Sequence, residues 1–222
     1  MSNSLHAISE CYRSPSGELY LSSDTALHTI SKDGNTIGEL PNENNREQSI
    51  IIAPTSDGKQ VAYVTATQGD TQGDITLSVF VADIRFSNSS KILSRDVHID
   101  ETRPPSIYVP GVSLGSWSSS GSMLAFSLID DSLASDIYIY DGQSTQLLID
   151  NSDSVWSYPV EWVDEETVLI YHIGSLSLAQ DELEFLKKLS FSMFNVEAKE
   201  STQVAPQIAP SGIGPTLFWD TY

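Results

Sequence analysis

A serine flanked by glycines is the pattern in this sequence with the clearest chemical meaning. The run Gly111-Val112-Ser113-Leu114-Gly115 fits G-x-S-x-G, in which a serine on a strained strand-to-helix turn acts as a nucleophile and an acid and a histidine follow it. The residues after this run have no helical period, and His172 is the only later histidine. The sequence therefore predicts that Ser113 lies in a β-strand and that the chain carries no catalytic residues.

Metal ligation is the second chemistry that residue types could support. The four histidines are far apart, and Cys11 is the only cysteine, so no zinc-ligand spacing occurs. Two segments are rich in carboxylates but lack the calcium-loop order of residues; they contain Asp70 and Asp74, and Asp130, Asp131 and Asp136. We interpret both as solvated hairpin loops, with calcium binding as an alternative, and predict no metal-ligating or cofactor-binding residues.

Charge and composition exclude several other functions. The 222 residues include 11 Lys and Arg against 30 Asp and Glu, which gives a formal net charge of −19. A surface this acidic repels nucleic acid and anionic lipid. Hydrophobic residues make up 40% of the chain, enough for a core, while no apolar run is long enough to span a membrane. Residues 1–11 lack the layout of a signal peptide, which by itself suggests the cytoplasm.

A repeated hairpin organises the chain. Short strands are separated by tight Ser, Pro, Asp and Gly turns, and a second strand of aromatic or β-branched residues follows each turn. The turns are centred on Gly17, Gly58, Gly121, Glu166 and Gly212, which are 41, 63, 45 and 46 residues apart. Three of these intervals match the period of about 40–50 residues of a propeller blade. Glu166 replaces the glycine of the other copies, so we expect a different turn type there.

Further strands complete each unit. Third strands are predicted at 27–30, 77–83, 136–141 and 189–196, and a fourth strand is illustrated by 146–149. Four strands per unit predict an all-β protein, a β-propeller of four-stranded antiparallel blades, with a β-sandwich as the alternative. The predicted units are 5–47, 48–111, 112–154, 155–205 and a partial fifth, 206–222. The chain is therefore expected to be a single propeller domain with about four full blades.

Two copies of the repeat resemble the blades of TolB-like propellers. The first runs from Ser56-Asp57-Gly58 to Val79-Phe80-Val81-Ala82-Asp83, and the second from Trp117-Ser118-Ser119-Ser120-Gly121 to Ile137-Tyr138-Ile139-Tyr140-Asp141. The repeat is also similar to those in the propeller domains of prolyl-oligopeptidase and dipeptidyl-peptidase relatives. This resemblance implies a module that binds protein partners or gates a peptidase domain, and it implies an envelope or periplasmic setting. It transfers no catalytic residue, because the catalytic part of those peptidases lies outside the propeller.

Two segments depart from the repeat. The long interval contains a predicted loop, Asp96 to Pro110, that is rich in proline and charge. Ser177 to Lys188 is predicted to be a short helix, with acids near its start and lysines near its end. Both are candidate contact elements for a partner. The half unit at the end predicts either a piece of a longer propeller or closure of a small ring by pairing with the first blade.

These observations support two functional hypotheses. The first is a non-enzymatic binding module for a protein or peptide partner, because the repeat occupies the whole chain and no catalytic constellation accompanies it. The second is an accessory domain that gates a serine hydrolase or peptidase whose catalytic domain is absent from this chain. The sequence identifies neither the partner nor any partner-binding residue.

Overall fold

A computed structural model describes residues 8–23, 26–41, 52–71, 73–98, 111–129, 135–150, 156–173 and 189–204. These residues form four antiparallel sheets of four strands, each in chain order. Sheet 1 contains β1 (Ile8–Arg13), β2 (Leu19–Ser23), β3 (Ala26–Ile30) and β4 (Thr36–Pro41). Sheet 2 contains β5 (Ile52–Pro54), β6 (Gln60–Gln68), β7 (Asp74–Asp83) and β8 (Ser90–His98). Sheet 3 contains β9 (Gly111–Trp117), β10 (Leu124–Ile129), β11 (Ser135–Tyr140) and β12 (Thr145–Ile149). Sheet 4 contains β13 (Trp156–Trp162), β14 (Thr167–Ile173), β15 (Leu189–Asn195) and β16 (Glu200–Val204).

The middle strands of sheets 2 and 3 are buried on both sides because each of these sheets packs between two described neighbours. In β10, Phe126 belongs to a cluster shared with sheet 2, and Ala125 belongs to a cluster shared with sheet 4. A third cluster joins Tyr20 and Leu27 of sheet 1 to Tyr63 of sheet 2. Successive side chains of a strand point to opposite faces, so an almost continuous apolar run is what burial on two faces requires. The sheets therefore stack face to face in chain order.

The antiparallel order divides the connections between two ends of the stack. The link from first to second strand and the link from third to fourth strand lie at one end of every sheet, which we call the turn end. The second strand of each sheet ends, and its third strand begins, at the opposite end, where the fourth strand also ends; we call this the loop end. In the sequence, the predicted long loop follows β8 and the predicted helix follows β14, and both strands end at the loop end.

Several sequence predictions shift by a few residues. The predicted loop starts too early, since Asp96 to His98 belong to β8: Asp96 accepts a hydrogen bond from Thr76 at 2.6 Å, and Val97 is buried. Asp74 and Asp136 lie in β7 and β11 rather than in loops. The first strand, predicted from Leu5 to Tyr12, is described as β1.

Other predictions lie outside the described residues. They are the remainder of the long loop, 99–110, the helix, 177–188, and the partial fifth unit, 206–222. Among the described residues, no helix is long and apolar enough to cross a membrane.

Candidate functional site

The turns between the first two strands of each sheet form a row near the inner edge of the stack. We call them the inner turns, and they comprise residues 14–18, 55–60, 118–123 and 163–167. The first strands are the inner ones because β9 contacts both β5 and β13. Indole N–H groups bridge these strands: Nε1 of Trp117 donates to the Ala53 carbonyl and Nε1 of Trp162 donates to the Ser116 carbonyl, both at 2.8 Å.

A buried hydroxyl organises each of the first three inner turns. Ser14 Oγ accepts a hydrogen bond from the Glu18 N–H at 3.0 Å, Thr55 Oγ1 accepts one from Gln60 at 3.1 Å, and Ser118 Oγ accepts one from Met123 at 3.2 Å. All three hydroxyl residues are less than 5% exposed. Each of these turns also has a glycine with positive φ, +102° at Gly17, +67° at Gly58 and +72° at Gly121, a conformation that glycine adopts without strain.

The fourth inner turn uses a carboxylate instead. Asp164 Oδ1 accepts hydrogen bonds from the N–H groups of Glu166 at 2.9 Å and Thr167 at 2.7 Å. Glu166 does not have a positive φ; among the described non-glycine residues this occurs at Phe86 and Lys199. The expectation of a different turn type at Glu166 is therefore confirmed, and an aspartate side chain takes the place of the hydroxyl.

Neighbouring inner turns contact one another. A Cβ atom added to Gly58 would lie 2.3 Å from Ser16 Oγ and 3.1 Å from Glu18 Oε2, so the second turn packs directly on the first. Gly121 of the third turn packs on the side chain of Thr55. These approaches leave little room for a side chain at Gly58 and Gly121, whereas at Gly17 the positive φ alone favours glycine.

The third and fourth turns are joined by Glu165. Its carboxylate accepts hydrogen bonds from the Ser120 N–H at 2.8 Å, from Ser120 Oγ at 2.6 Å and from the Ser119 hydroxyl. The inner turns therefore form one continuous row across all four sheets.

The carboxylates of this row remain ionised far below neutral pH. Hydrogen bonds from Lys59 and then from Thr55 lower the pKa of Asp57 to about 2, and the hydroxyls of Ser119 and Ser120 lower the pKa of Glu165 to about 2. Hydrogen bonds from Ser16 and Ser14 lower the pKa of Glu18. The row is thus a fixed negative surface on which Lys59 pairs with Asp57 at 2.8 Å.

A small polar groove of about 210 Å³ lies between the second and third inner turns. Its lining residues are Thr55, Asp57, Lys59, Gln60, Ser120 and Gly121. Hydroxyl, amide, carboxylate and ammonium groups meet there, which suits hydrogen bonding to a polar chain. Its described lining contains no histidine beside a serine, the pairing that activates a serine nucleophile.

The G-x-S-x-G run, residues 111–115, lies in β9, outside the inner turns. Ser113 is within β9, opposite Ser127 of β10, rather than on a strand-to-helix turn. His172 lies in sheet 4, where Nδ1 is 2.7 Å from Ser157 Oγ and Nε2 is 2.7 Å from Ser192 Oγ. Both ring nitrogens are therefore used within the sheet, and the structure does not bring Ser113 and His172 together as a catalytic pair.

The carboxylates considered for calcium are dispersed. Asp74 bonds to Nδ1 of His98 at 2.7 Å, Asp70 is exposed, and Asp130 and Asp131 lie outside the described residues. Within the described parts of the chain, no three His, Cys, Asp or Glu side chains converge on a point that could hold a metal ion.

Sequence reasoning missed the contacts between turns. The tryptophans carried a usable signal, because Trp117 and Trp162 precede their turns at the same position of the repeat and make the same hydrogen bond. Glu165 carried no comparable signal, since its partners in the third turn are 45 and 46 residues away in the chain.

Comparison with known proteins identifies the fold. No protein-family model and no curated protein matches the chain. Among solved structures, the tricorn protease is similar over 91% of this chain and 23% of its own, with a TM-score of 0.61 and 11% identity. TolB from Acinetobacter baumannii is similar over 90% of this chain and 44% of its own, with a TM-score of 0.55 and 13% identity. An acylaminoacyl peptidase from Pyrococcus horikoshii is similar over 90% and 32%, with a TM-score of 0.54 and 12% identity.

The fold is a β-propeller, similar to those of TolB and of the peptidase structures. The predicted four-stranded antiparallel blades are confirmed as sheets 1 to 4. The chain spans less than half the length of each of these proteins, and identities of 11–13% show the fold alone. Sheets 1 to 4 are thus successive propeller blades, and the inner turns lie at one end of their innermost strands.

Proposed function

We propose that the chain is one propeller domain that acts as a non-enzymatic binding module for a protein or peptide partner. The observation that carries this proposal is the continuous row of inner turns. Its backbone is fixed by buried hydroxyls and glycines, and its carboxylates are held by hydrogen bonds. A surface ordered before binding loses little conformational entropy when a partner docks, which favours recognition. The negative charge of the row favours a partner segment with Lys or Arg residues.

A variant pair tests the position of the binding surface. The double variant Asp57→Asn, Glu165→Gln neutralises two carboxylates of the row. The control Asp33→Asn neutralises one exposed carboxylate in the turn between β3 and β4. Proteins retained by the full chain are identified by mass spectrometry, and recovery of the same partner is compared among variants. We expect recovery to fall several-fold for the double variant and to be unchanged for Asp33→Asn.

Deletions of 99–110 and of 177–188 in the same assay test the two contact elements predicted from the sequence. If partner recovery falls in the deletions but is unchanged in the double variant, the binding surface is at the loop end. If no partner is retained by any form, the binding-module proposal is wrong.

The non-enzymatic part of the proposal has its own test. The full chain and Ser113→Ala are incubated with fluorogenic ester and peptide substrates. Because Ser113 lies within β9 and His172 is bonded to other serines, we expect no difference in hydrolysis between the two. Activity that disappears in Ser113→Ala would overturn the proposal.

A gating role in a serine peptidase is the second candidate. It is supported by the similarity to an acylaminoacyl peptidase and to prolyl endopeptidases, of which this chain covers 32% and 30% of the length. The coding sequence beyond Tyr222 distinguishes the two functions. A G-x-S-x-G motif followed by a helical period there would favour gating, and a stop codon directly after Tyr222 would count against it.

A further inference from the structure

A second groove lies on the outer side of the boundary between sheets 3 and 4, near the turn end. It has a volume of about 350 Å³ and is lined by Met123, Ile139, Asp141, Gln146, Leu147, Leu148, Phe194, Val196 and Lys199. Ile139 and Phe194 also belong to the core cluster between these sheets. The groove is therefore an opening into the apolar layer that holds the two sheets together.

The corresponding boundary between sheets 2 and 3 is bridged. Arg95 donates a hydrogen bond to the Tyr138 hydroxyl at 2.8 Å, and Thr145 Oγ1 donates one to the Ile92 carbonyl at 2.8 Å. Strand register places Ser192 and Ser201 of sheet 4 where sheet 3 has Tyr138 and Thr145.

These two serines do not reproduce the bridges. Ser192 bonds to His172 within sheet 4, and Ser201 makes no hydrogen bond to sheet 3 within the described part of the chain. Sheets 1 and 2 meet more closely still, because a Cβ on Gly38 would lie 2.4 Å from the Ile84 carbonyl oxygen. Among the described residues, the outer boundary of sheets 3 and 4 is thus open where the other two boundaries are closed.

Opposite charges flank the apolar floor of this groove. The Asp141 carboxylate accepts hydrogen bonds from the N–H groups of Ser144 at 2.7 Å and Gln143 at 2.9 Å, and these bonds lower its pKa, so it stays ionised. Lys199 lies on the turn after β15. Neither forms an ion pair with another residue that the structure describes. Leu147, one of the lining residues, is 49% exposed.

We infer that this groove binds a short segment of a partner protein in which one large apolar side chain stands between a basic and an acidic residue. The apolar side chain fills the groove beside Leu147, over Ile139 and Phe194, the basic residue meets Asp141, and the acidic residue meets Lys199. This inference rests on the proposed binding function and assigns a segment chemistry to it.

Size and charge favour such a segment over other occupants. The volume is near the lower limit of about 300–1,000 Å³ for ligand pockets, which suits one or two side chains rather than a folded element. A second copy of the chain is disfavoured because both copies carry a net charge of −19. Burial of Leu147 supplies affinity, and the two opposite charges select the residues on either side of the apolar one.

Selection from a random phage-displayed dodecapeptide library on the full chain tests the inference. The selected peptides are synthesised with a fluorophore, and their affinity is measured by anisotropy for the wild type and for Leu147→Ser, Asp141→Asn and Lys199→Gln. Matched controls are Val160→Ser, which removes an apolar side chain of similar exposure outside the groove, and Lys32→Gln, which removes an exposed lysine from another turn.

We expect selected peptides to share an apolar residue between opposite charges. Their affinity should fall at least tenfold in Leu147→Ser and several-fold in Asp141→Asn and Lys199→Gln, and it should be unchanged in the two controls. Exchange of the acidic residue of the peptide for Gln should weaken binding to the wild type but not to Lys199→Gln.

Each other result overturns the inference in a distinct way. Peptides whose affinity is unchanged in the groove variants, or falls in Val160→Ser, would place binding elsewhere and leave the binding function standing. Self-association that Leu147→Ser abolishes would make a second copy the occupant. A library that yields no binding peptide would contradict the groove and a peptide-binding function together.

Discussion

His172 is held in sheet 4 between two serine hydroxyls, each 2.7 Å from a ring nitrogen. A hydroxyl can donate or accept, so this arrangement fits the neutral ring, with one nitrogen accepting and the other donating. Burial lowers the pKa of His172 below its ordinary value of 6.5. The folded chain therefore binds a proton at this site less readily than the unfolded chain does.

This difference predicts that acid weakens the fold near pH 6. Stability from the neutral imidazole is complete above the unfolded pKa and is lost as pH falls from about 6.5 toward the lowered folded pKa. We expect the free energy of unfolding to drop between pH 7.5 and pH 5.5 and His172→Gln to reduce that drop. Urea titrations of both proteins across this range measure it. Parallel pH profiles would show that His172 does not contribute.

The carboxylates of the inner turns affect the stability of the fold at a lower pH than His172 does. Glu165 has a folded pKa of about 2, below the value near 4.5 of an unperturbed glutamate, so its stabilising contribution is present above the unfolded pKa and is lost as pH falls toward 2. Glu165→Gln should therefore lower Tm at pH 7, and the difference from wild type should shrink as pH approaches 2. Tm measured by circular dichroism from pH 7 to pH 2 tests this. The effect is small because the carboxylate is exposed, and a difference that does not vary with pH would contradict it.

At the scale of elements, the turns use glycine for two separate reasons: it adopts positive φ without strain, and it has no side chain to meet a neighbouring turn. Gly34 and Gly58 both have positive φ, +82° and +67°, but only at Gly58 would a Cβ meet a neighbouring turn. Gly34→Ala should cost about 1–2 kcal/mol for the backbone conformation alone. Gly58→Ala should cost roughly 1 kcal/mol more, because Ser16 and Glu18 must move. Equal midpoints in urea would show that the first two turns do not pack closely.

The indole bridges orient one inner strand against the next. Trp162→Phe keeps an aromatic ring but removes the hydrogen bond to the Ser116 carbonyl, which should cost about 1–2 kcal/mol. Trp117→Phe should have at least the same effect because Trp117 is more buried. Tyr12→Phe, at a residue 44% exposed, serves as the control and should change stability by less than about 0.5 kcal/mol. Urea unfolding followed by circular dichroism measures all three.

At the scale of the whole molecule, charge repulsion opposes the compact state. With a net charge of −19 and few cations to pair with, carboxylates on neighbouring loops repel one another. Salt screens exposed charges over a Debye length of about 10 Å at 0.1 M. We expect Tm at neutral pH to rise as NaCl is increased from low to moderate concentration. A flat or falling curve would indicate carboxylates already paired or bound to specific cations, which would restore interest in calcium at the aspartate-bearing segments.

The net charge also governs repulsion between molecules, which therefore depends on pH. The charge that destabilises the fold also keeps the molecules apart, and it vanishes near the sequence pI of about 4.2. Self-association measured by light scattering should therefore be greatest close to that pH. An outer strand such as β8 would add to this tendency, because no described strand pairs with its outer edge, and such an edge can accept another strand.

The sequence alone determined the sheets and most of their strands. Gly17, Gly58 and Gly121 recur because a tight hairpin needs positive φ at a fixed place, and the nearly continuous apolar run from Ile137 to Tyr140 follows from burial on both faces of a sheet. Both are local properties of the chain, so a period of 40–50 residues was visible in one sequence. Strand ends were less certain, as Asp96 to His98 show, because pairing with Asp74 and Thr76 extends β8 beyond the apolar pattern.

The candidate surfaces were decided only by tertiary structure. Glu165 meets Ser119 and Ser120, and Lys199 comes to the same groove as Asp141, through the stacking of one sheet on the next. These residues are 45 to 58 positions apart, and no local period encodes which side chains of successive units approach each other. Whether a boundary between sheets closes depends on single residues, as with Tyr138 bonded to Arg95 while Ser192 bonds within its own sheet. The physical reason is that packing between sheets is set by the shapes and hydrogen bonds of both faces at once, whereas a repeat reports each sheet separately.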